Sequence, residues 1–246
     1  MKAKDAIRRE VWTLLREKSV ARFPGAEGRI PNFIGAEKCA KILAQSPLWK
    51  KAKVIKVNPD SPQRAVRQRA LEEGKTLYMA VPRLRELKPF IELDPKKLTT
   101  SPYSASSIKG AFKYGSPVSL EKVKKVDLVV CGSVAVNRNG ARLGKGGGYS
   151  DLEFALLREE GKISDQTPIV TTVHPLQILD TDLPMTEHDI PLNAIITPDE
   201  MISLTSQYPK PEGIYWHLLP PEKAEAIPVL KGRNKQRKAE LRHKNK

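Results

Sequence analysis

The chain has 246 residues, with 43 Lys and Arg against 28 Asp and Glu for a formal net charge of +15, and 39% hydrophobic residues. No run approaches the roughly 18 apolar residues of a membrane span, and the N-terminus M-K-A-K-D-A-I-R-R-E is too charged for a signal peptide. Cys39 and Cys131 lie too far apart for a Cys-x-x-Cys site, so membrane-spanning, disulfide-framework and paired-thiol classes are excluded and a soluble, cytoplasmic protein is expected.

Ile7, Val11, Leu14 and Leu15 recur at helical spacing between Lys2 and Ala21, and Phe23-Pro24-Gly25 ends that helix. Lys4 and Arg8 stand one turn apart on it, a like-charge pair that costs a few tenths of a kcal/mol, on the order of 0.3, unless an anion or carboxylate lies near. Asp5 offers one such partner. A second helix buries Ala36, Ala40, Leu43 and Ala44 and stops before Ser46-Pro47. Val54 to Val57 reads as a strand; Ser61 then looks like an N-cap with Pro62 at the first helical position, and this helix runs to Gly74. Thr76 to Val81 is the next strand, which completes a βαβ unit and implies a parallel sheet. Phe90 to Leu93 suits an edge strand, and the Ser/Thr/Lys-rich stretch from Leu98 to Pro117 suits a long loop.

Val126 to Val136, the most apolar stretch, is expected to be a central strand. Asp151 to Glu159 is a helix with Leu152, Ala155 and Leu156 inward and Glu153 and Glu159 outward. Strands follow at Ile169 to Val173 and Ala194 to Thr197. The polar segments after the first of these and before the second, including His188 and Asp189, would flank the same sheet, where ligands of open α/β folds bind. Tyr215-Trp216 reads as a packing anchor. About half of the positive excess lies in the last sixteen residues, with eight Lys/Arg and one Glu between Lys231 and Lys246. We therefore divide the chain into one α/β domain, residues 1–230, and a disordered basic tail, residues 231–246. Such a tail is ordinarily solvated, and its functional role would be weak contact with a polyanion such as RNA.

Between the apolar strand and the helix lies R-L-G-K-G-G-G-Y-S-D, Arg142 to Asp151. Glycines let main-chain N–H groups approach an anion closely, and the following helix start adds partial positive charge, so the stretch suits a phosphate. It is neither a Walker A loop nor a dinucleotide fingerprint, because the glycine spacings match neither. The chain has no nucleophile triad and no zinc spacing; cations, carboxylates and glycines are the inventory of phosphoryl transfer. In that chemistry Arg142 and Lys145 would neutralise phosphate oxygens and Asp151 would hold Mg²⁺, or cap the helix. His188 and Asp189 would add an acid/base group and a second metal contact, or form an ordinary turn.

The run from Asp127 through G-A-R-L-G-K-G-G-G-Y-S-D resembles the signature of the 5-formyltetrahydrofolate cyclo-ligase family, R-L-G-x-G-x-G-Y-Y-D after a hydrophobic strand. That family also carries K-x-x-x-R on an N-terminal helix, met here by Lys4 and Arg8. The resemblance spans roughly residues 1 to 200 and is most similar to the methenyltetrahydrofolate synthetase domain-containing branch, in which the fold accompanies an RNA-binding module. It implies a three-layer α/β/α domain with a mostly parallel open sheet. It also implies an ATP- and Mg²⁺-dependent ligase that closes 5-formyltetrahydrofolate, or a related formyl-pterin, to 5,10-methenyltetrahydrofolate with release of ADP and phosphate. Carried over by position, Lys4, Arg8, Arg142, Gly144, Lys145, Gly146, Gly147, Gly148 and Tyr149 would bind ATP. Lys145 and Arg142 would act in catalysis, and Asp151 and Asp189 would contact Mg²⁺. Ser150 stands where the family pattern has its second Tyr, and only Asp60 or Gln63 follows the first strand as a folate-side polar group. The alternative is a nucleotide-binding or RNA-associated protein, not an enzyme, on the same scaffold.

Overall fold

The computed structural model describes residues 2–244, with side chains from Ala3 to Ala239. The first half holds α1 (Lys2–Glu17), α2 (Ala36–Gln45), α3 (Pro47–Lys51), β1 (Val54–Val57), α4 (Arg64–Glu72), β2 (Thr76–Ala80), β3 (Phe90–Leu93), α5 (Pro102–Ala105), α6 (Ile108–Tyr114) and β4 (Ser116–Val118). The second half holds β5 (Leu128–Cys131), β6 (Ala135–Val136), β7 (Arg142–Leu143), α7 (Tyr149–Glu159), β8 (Ile169–Thr172), β9 (Ala194–Ile196), β10 (Met201–Ser203), α8 (Pro221–Ala226) and α9 (Pro228–Lys244).

Eight strands form one sheet in the order β10-β9-β8-β5-β1-β2-β3-β4, with the five from β9 to β2 parallel and the rest antiparallel. The five parallel strands are buried on both faces, as parallel sheets require, while the edge strands β4 and β10 are more exposed. Leu128 and Val130 of β5, with Ile55, Val57, Leu77 and Met79, pack under α2 and α4 on one face. The alternate residues Val129 and Cys131, with Tyr78, Ile169 and Ile195, pack against Phe154 and Leu157 of α7 and against Ile227 and Leu230 on the other. The result is the expected three-layer α/β/α domain. A third cluster joins Val11, Trp12 and Leu15 of α1 to Val134, Ala135 and Leu143 of the β6–β7 hairpin.

After β1 the chain moves to one side for β2, then returns to the other side of β1 for β5. The carboxyl ends of β1 and β5 therefore bound a topological switch point, the place where open α/β sheets bind ligands.

Five expectations are corrected. The apolar run 126–136 is two elements: β5 ends at Cys131, and the chain leaves the sheet at Gly132 before starting the hairpin. A Cβ at Gly132 would stand 2.8 Å from Ile30, so only glycine allows this close passage. The stretch 98–117 is no long loop, because Ser101 and Ser107 cap short helices by accepting from Ser104 N and Gly110 N, and β4 then makes β3 an internal strand. Ser61 opens a 3-10 turn, residues 61–63, that precedes α4 and makes no cap bond. The tail expected to be disordered is helical in α9, which begins three residues before the expected boundary. Its first turns are held by buried Leu230, by Arg233 ion pairs to Glu159 and Glu160, and by Arg237 stacked 5.1 Å from the Trp216 ring centre. Asn245 and Lys246 lie outside the described residues.

Candidate functional site

Residues 144–148 join β7 to α7 at the switch-point end of the sheet. Gly146 (φ 101°) and Gly148 (φ 61°) take left-handed backbone, which a side chain there would strain. Gly148 is the N-cap of α7 and supplies no side-chain cap, so the N-terminal N–H groups and the positive end of an 11-residue helix point out of the loop.

Beneath the loop, Arg142 and Asp151 fasten β7 to α7. Arg142, 2% exposed, donates from Nη2 to Asp151 Oδ1 at 2.6 Å and from Nη1 to Gly132 O at 3.1 Å. Burial alone would weaken the guanidinium's hold on its proton, but the Asp151 carboxylate outweighs it and raises the pKa above the usual range. Asp151 also accepts from Ile190 N at 3.1 Å. It is therefore a buried tie between loop, helix and the 190 segment, and makes no helix cap.

Helix α1 lies along the outer side of the loop. Arg8 donates from Nε to Gly144 O at 2.7 Å and pairs with Asp5 at 2.5 Å. Lys4 pairs with Asp189 at 2.5 Å, and Asp189 also accepts from Thr186 N and Oγ1, each at 2.7 Å. Burial raises the Asp189 pKa, but Lys4 and Thr186 together outweigh it and hold the carboxyl below its ordinary value. Two carboxylates thus relieve the Lys4/Arg8 repulsion. Lys145 is half exposed and reaches Asp60 at 3.0 Å. His188 is partly exposed, 3.9 Å from Asp189.

A cleft of about 520 Å³, the size of a small-molecule site, opens on the inner side of the loop. It brings together Arg142, Gly144, Lys145, Gly147, Gly148, Tyr149 and Asp151, and adds Asn58, Asp60, Gly132, Ser150 and Glu153 from the floor. Pro24, Arg29, Ile30, Pro82, Arg83 and Ile108 face them. Lys4, Arg8, Gly146 and Asp189 do not line this cleft.

The floor was not foreseen from sequence. Glu153, expected to face solvent, is 5% exposed, and its Oε2 lies 2.5 Å from Nζ of Lys56, itself 1% exposed. Lys56 also donates to Asn58 Oδ1 at 2.5 Å, and Asn58 Nδ2 donates to Ser150 Oγ at 3.2 Å. Burial pushes the Glu153 carboxyl upward and Lys56 partly offsets this. The signal available was Lys56 itself: a lysine between Ile55 and Val57 in a strand buried on both faces requires a counter-charge. Ser150, the departure from the Tyr-Tyr pattern, ends this chain of contacts.

Among the described residues no group of three or more His, Cys, Asp or Glu side chains is assembled for a metal. Asp151 and Asp189 each face a cation, so a magnesium site made by protein side chains alone does not fit. A Mg²⁺ ion carried on a polyphosphate asks for only one or two carboxylates.

A sequence profile of the 5-formyltetrahydrofolate cyclo-ligase family matches residues 1–198. Methenyltetrahydrofolate synthase domain-containing protein of Bos taurus is 39% identical over 233 residues, covering 93% of this chain and 61% of the relative. The protein of the same name from Danio rerio is 38% identical over 229 residues, covering 92% of this chain and 60% of the relative. The chain thus spans about three fifths of the length of these relatives. The NMR structure of Aquifex aeolicus 5,10-methenyltetrahydrofolate synthetase superposes with a TM-score of 0.53 at 22% identity, covering 88% of this chain and 99% of that one, a likeness of fold.

Proposed function

Because this chain belongs to the 5-formyltetrahydrofolate cyclo-ligase family, we propose that it converts 5-formyltetrahydrofolate, or a related formyl-pterin, to 5,10-methenyltetrahydrofolate, consuming ATP with Mg²⁺ and releasing ADP and phosphate. The observation that carries the reading is the glycine loop, uncapped at the start of α7 and opening on a cleft at the switch point. Its backbone N–H groups suit phosphate oxygens, and Lys145 would leave Asp60 to neutralise them. Arg142 would act by holding the loop in shape from below, and Asp151 would share its carboxylate between Arg142 and a Mg²⁺ ion brought by the nucleotide. Such an ion would add positive charge against the phosphate oxygens. The pterin would lie over Ser150 and Glu153 at the floor, beside Ile108 and Pro82.

The test is to mix the protein with ATP, Mg²⁺ and 5-formyltetrahydrofolate and follow the methenyl absorbance. Product formation that requires all three supports the reading. Nucleotide binding without product would remove the ligase reading and keep the nucleotide site.

One observation favours a second reading, a nucleotide-binding or RNA-associated protein without turnover: α9 presents Lys235 and Lys238 to solvent on a basic helix whose first turns are anchored. RNA binding with a steep salt dependence, lost on Lys235→Gln/Lys238→Gln, supports that reading, and no binding at physiological salt removes it.

A further inference from the structure

The glycine loop touches a cation that the phosphate motif does not include. Lys223, on α8 and beyond residues 1–198 of the family match, donates from Nζ to Gly147 O at 2.5 Å. The same ammonium lies 4.8 Å from the centre of the Tyr149 ring. A Cβ built on Gly148 would be 3.1 Å from it, so the lysine head rests against the loop backbone itself. Its position is set by packing: Ala224 and Ile227, next to it on the chain, are 3% and 1% exposed in the core beneath α7.

The charge balance around the loop sets Lys223 apart. Lys4, Arg8, Arg142 and Lys145 each have a carboxylate, on Asp189, Asp5, Asp151 and Asp60. Among the described residues Lys223 has no carboxylate within ion-pair distance; its partners are a neutral carbonyl and an aromatic face. A half-buried ammonium with two donors left over is completed by an anion. The loop offers the matching place, with the helix start of α7 directly beside it.

Resting on the nucleotide reading above, we propose that Lys223 is a phosphate-binding residue of this site, a cation that the C-terminal segment delivers to the glycine loop. On binding, its Nζ leaves the Gly147 carbonyl for a phosphate oxygen, exchanging a neutral acceptor for a charged one. Lys145 then approaches the loop from the cleft and Lys223 from the opposite side, where Tyr215, Leu218 and Pro220 line a small apolar pocket against Gly148. Burial also lowers the Lys223 pKa, with Asp151 opposing.

The experiment is calorimetric titration of the full chain with ATP at several salt concentrations, for wild type, Lys223→Met, Lys223→Gln and Lys223→Arg. Lys223→Gln is neutral but keeps a polar donor on a slightly shorter side chain, so it covers the case in which Lys223→Met folds poorly. We expect Met and Gln to weaken ATP binding about tenfold with a shallower salt dependence, and Arg to remain within about threefold of wild type. The Gln variant, having lost the Tyr149 contact, should melt about 2–4 °C lower and bind ATP more weakly, whereas a purely structural lysine would lower the melting temperature and leave ATP affinity unchanged. Wild-type affinity and salt dependence in both neutral variants overturn the assignment and leave the nucleotide reading intact. A wild-type chain that binds no ATP overturns both.

Discussion

The glycine loop and the floor of the cleft beneath it meet at Ser150 and are built in opposite ways. The loop is local: four of residues 144–148 are glycines, and its one side chain, Lys145, is half exposed with a movable partner. The floor is non-local and buried at its base: Lys56 from β1 and Glu153 from α7 form a buried pair, with Asn58 bridging to Ser150. Parts made of backbone and exposed charge can rearrange around a ligand at little cost. A buried ion pair cannot, because either charge alone is strongly disfavoured there. The floor therefore fixes the shape of the cleft, and the loop adapts.

Four measurements bear on that contrast. Glu153→Leu should destabilise the fold by about 3–5 kcal/mol by stranding Lys56, while Lys56→Met/Glu153→Leu recovers most of the loss. Urea unfolding of both variants decides it, and a single variant as stable as the double one would mean that the pair is not buried in solution. Gly148→Ala, at φ 61°, should cost about 1–2 kcal/mol by the same assay and narrow the loop. Lys145→Ala should leave stability within about 1 kcal/mol of wild type, since its ion pair is solvent-screened, yet weaken ATP binding about tenfold. Equal ATP affinity in this variant would move the phosphate site away from the loop.

The smallest effect is expected at Asp189. Its folded-state pKa is held below the ordinary 3.8, so its contribution is complete above that pH and is lost as pH falls through the lowered value. The stability gap between wild type and Asp189→Asn, about 1 kcal/mol at neutral pH, should shrink only below pH 3.8. A gap that persists unchanged well below pH 3.8 would show that the Asp189 carboxylate does not supply the difference.

The same contrast explains what could be read from the chain alone. The layer architecture and the loop were legible because β-branched runs, helical spacing and clustered glycines are local signals. The break at Gly132 was hidden because Ser133 to Val136 continues the apolar pattern of β5 into a different element. Glu153 was misplaced because one carboxylate on a helix reads as solvent-facing until its partner, on a strand far earlier in the chain, is known. The ordered start of α9 was missed for a related reason: Glu159, Glu160 and Trp216, which hold it, lie well upstream of a stretch whose composition alone suggests disorder.

The docking of α1 bears on how the chain is made. Lys4 waits for a carboxylate 185 residues later, and Arg8 for a carbonyl 136 residues later. At synthesis rates of roughly 5–20 residues per second, the Lys4 interval is about 10–40 s. For roughly the first 130 residues of it, about 7–26 s, Val11, Trp12 and Leu15 have no hairpin to cover them. Helix α1 is thus made long before it can be seated, and its apolar face stays exposed on the growing chain until the β6–β7 hairpin arrives.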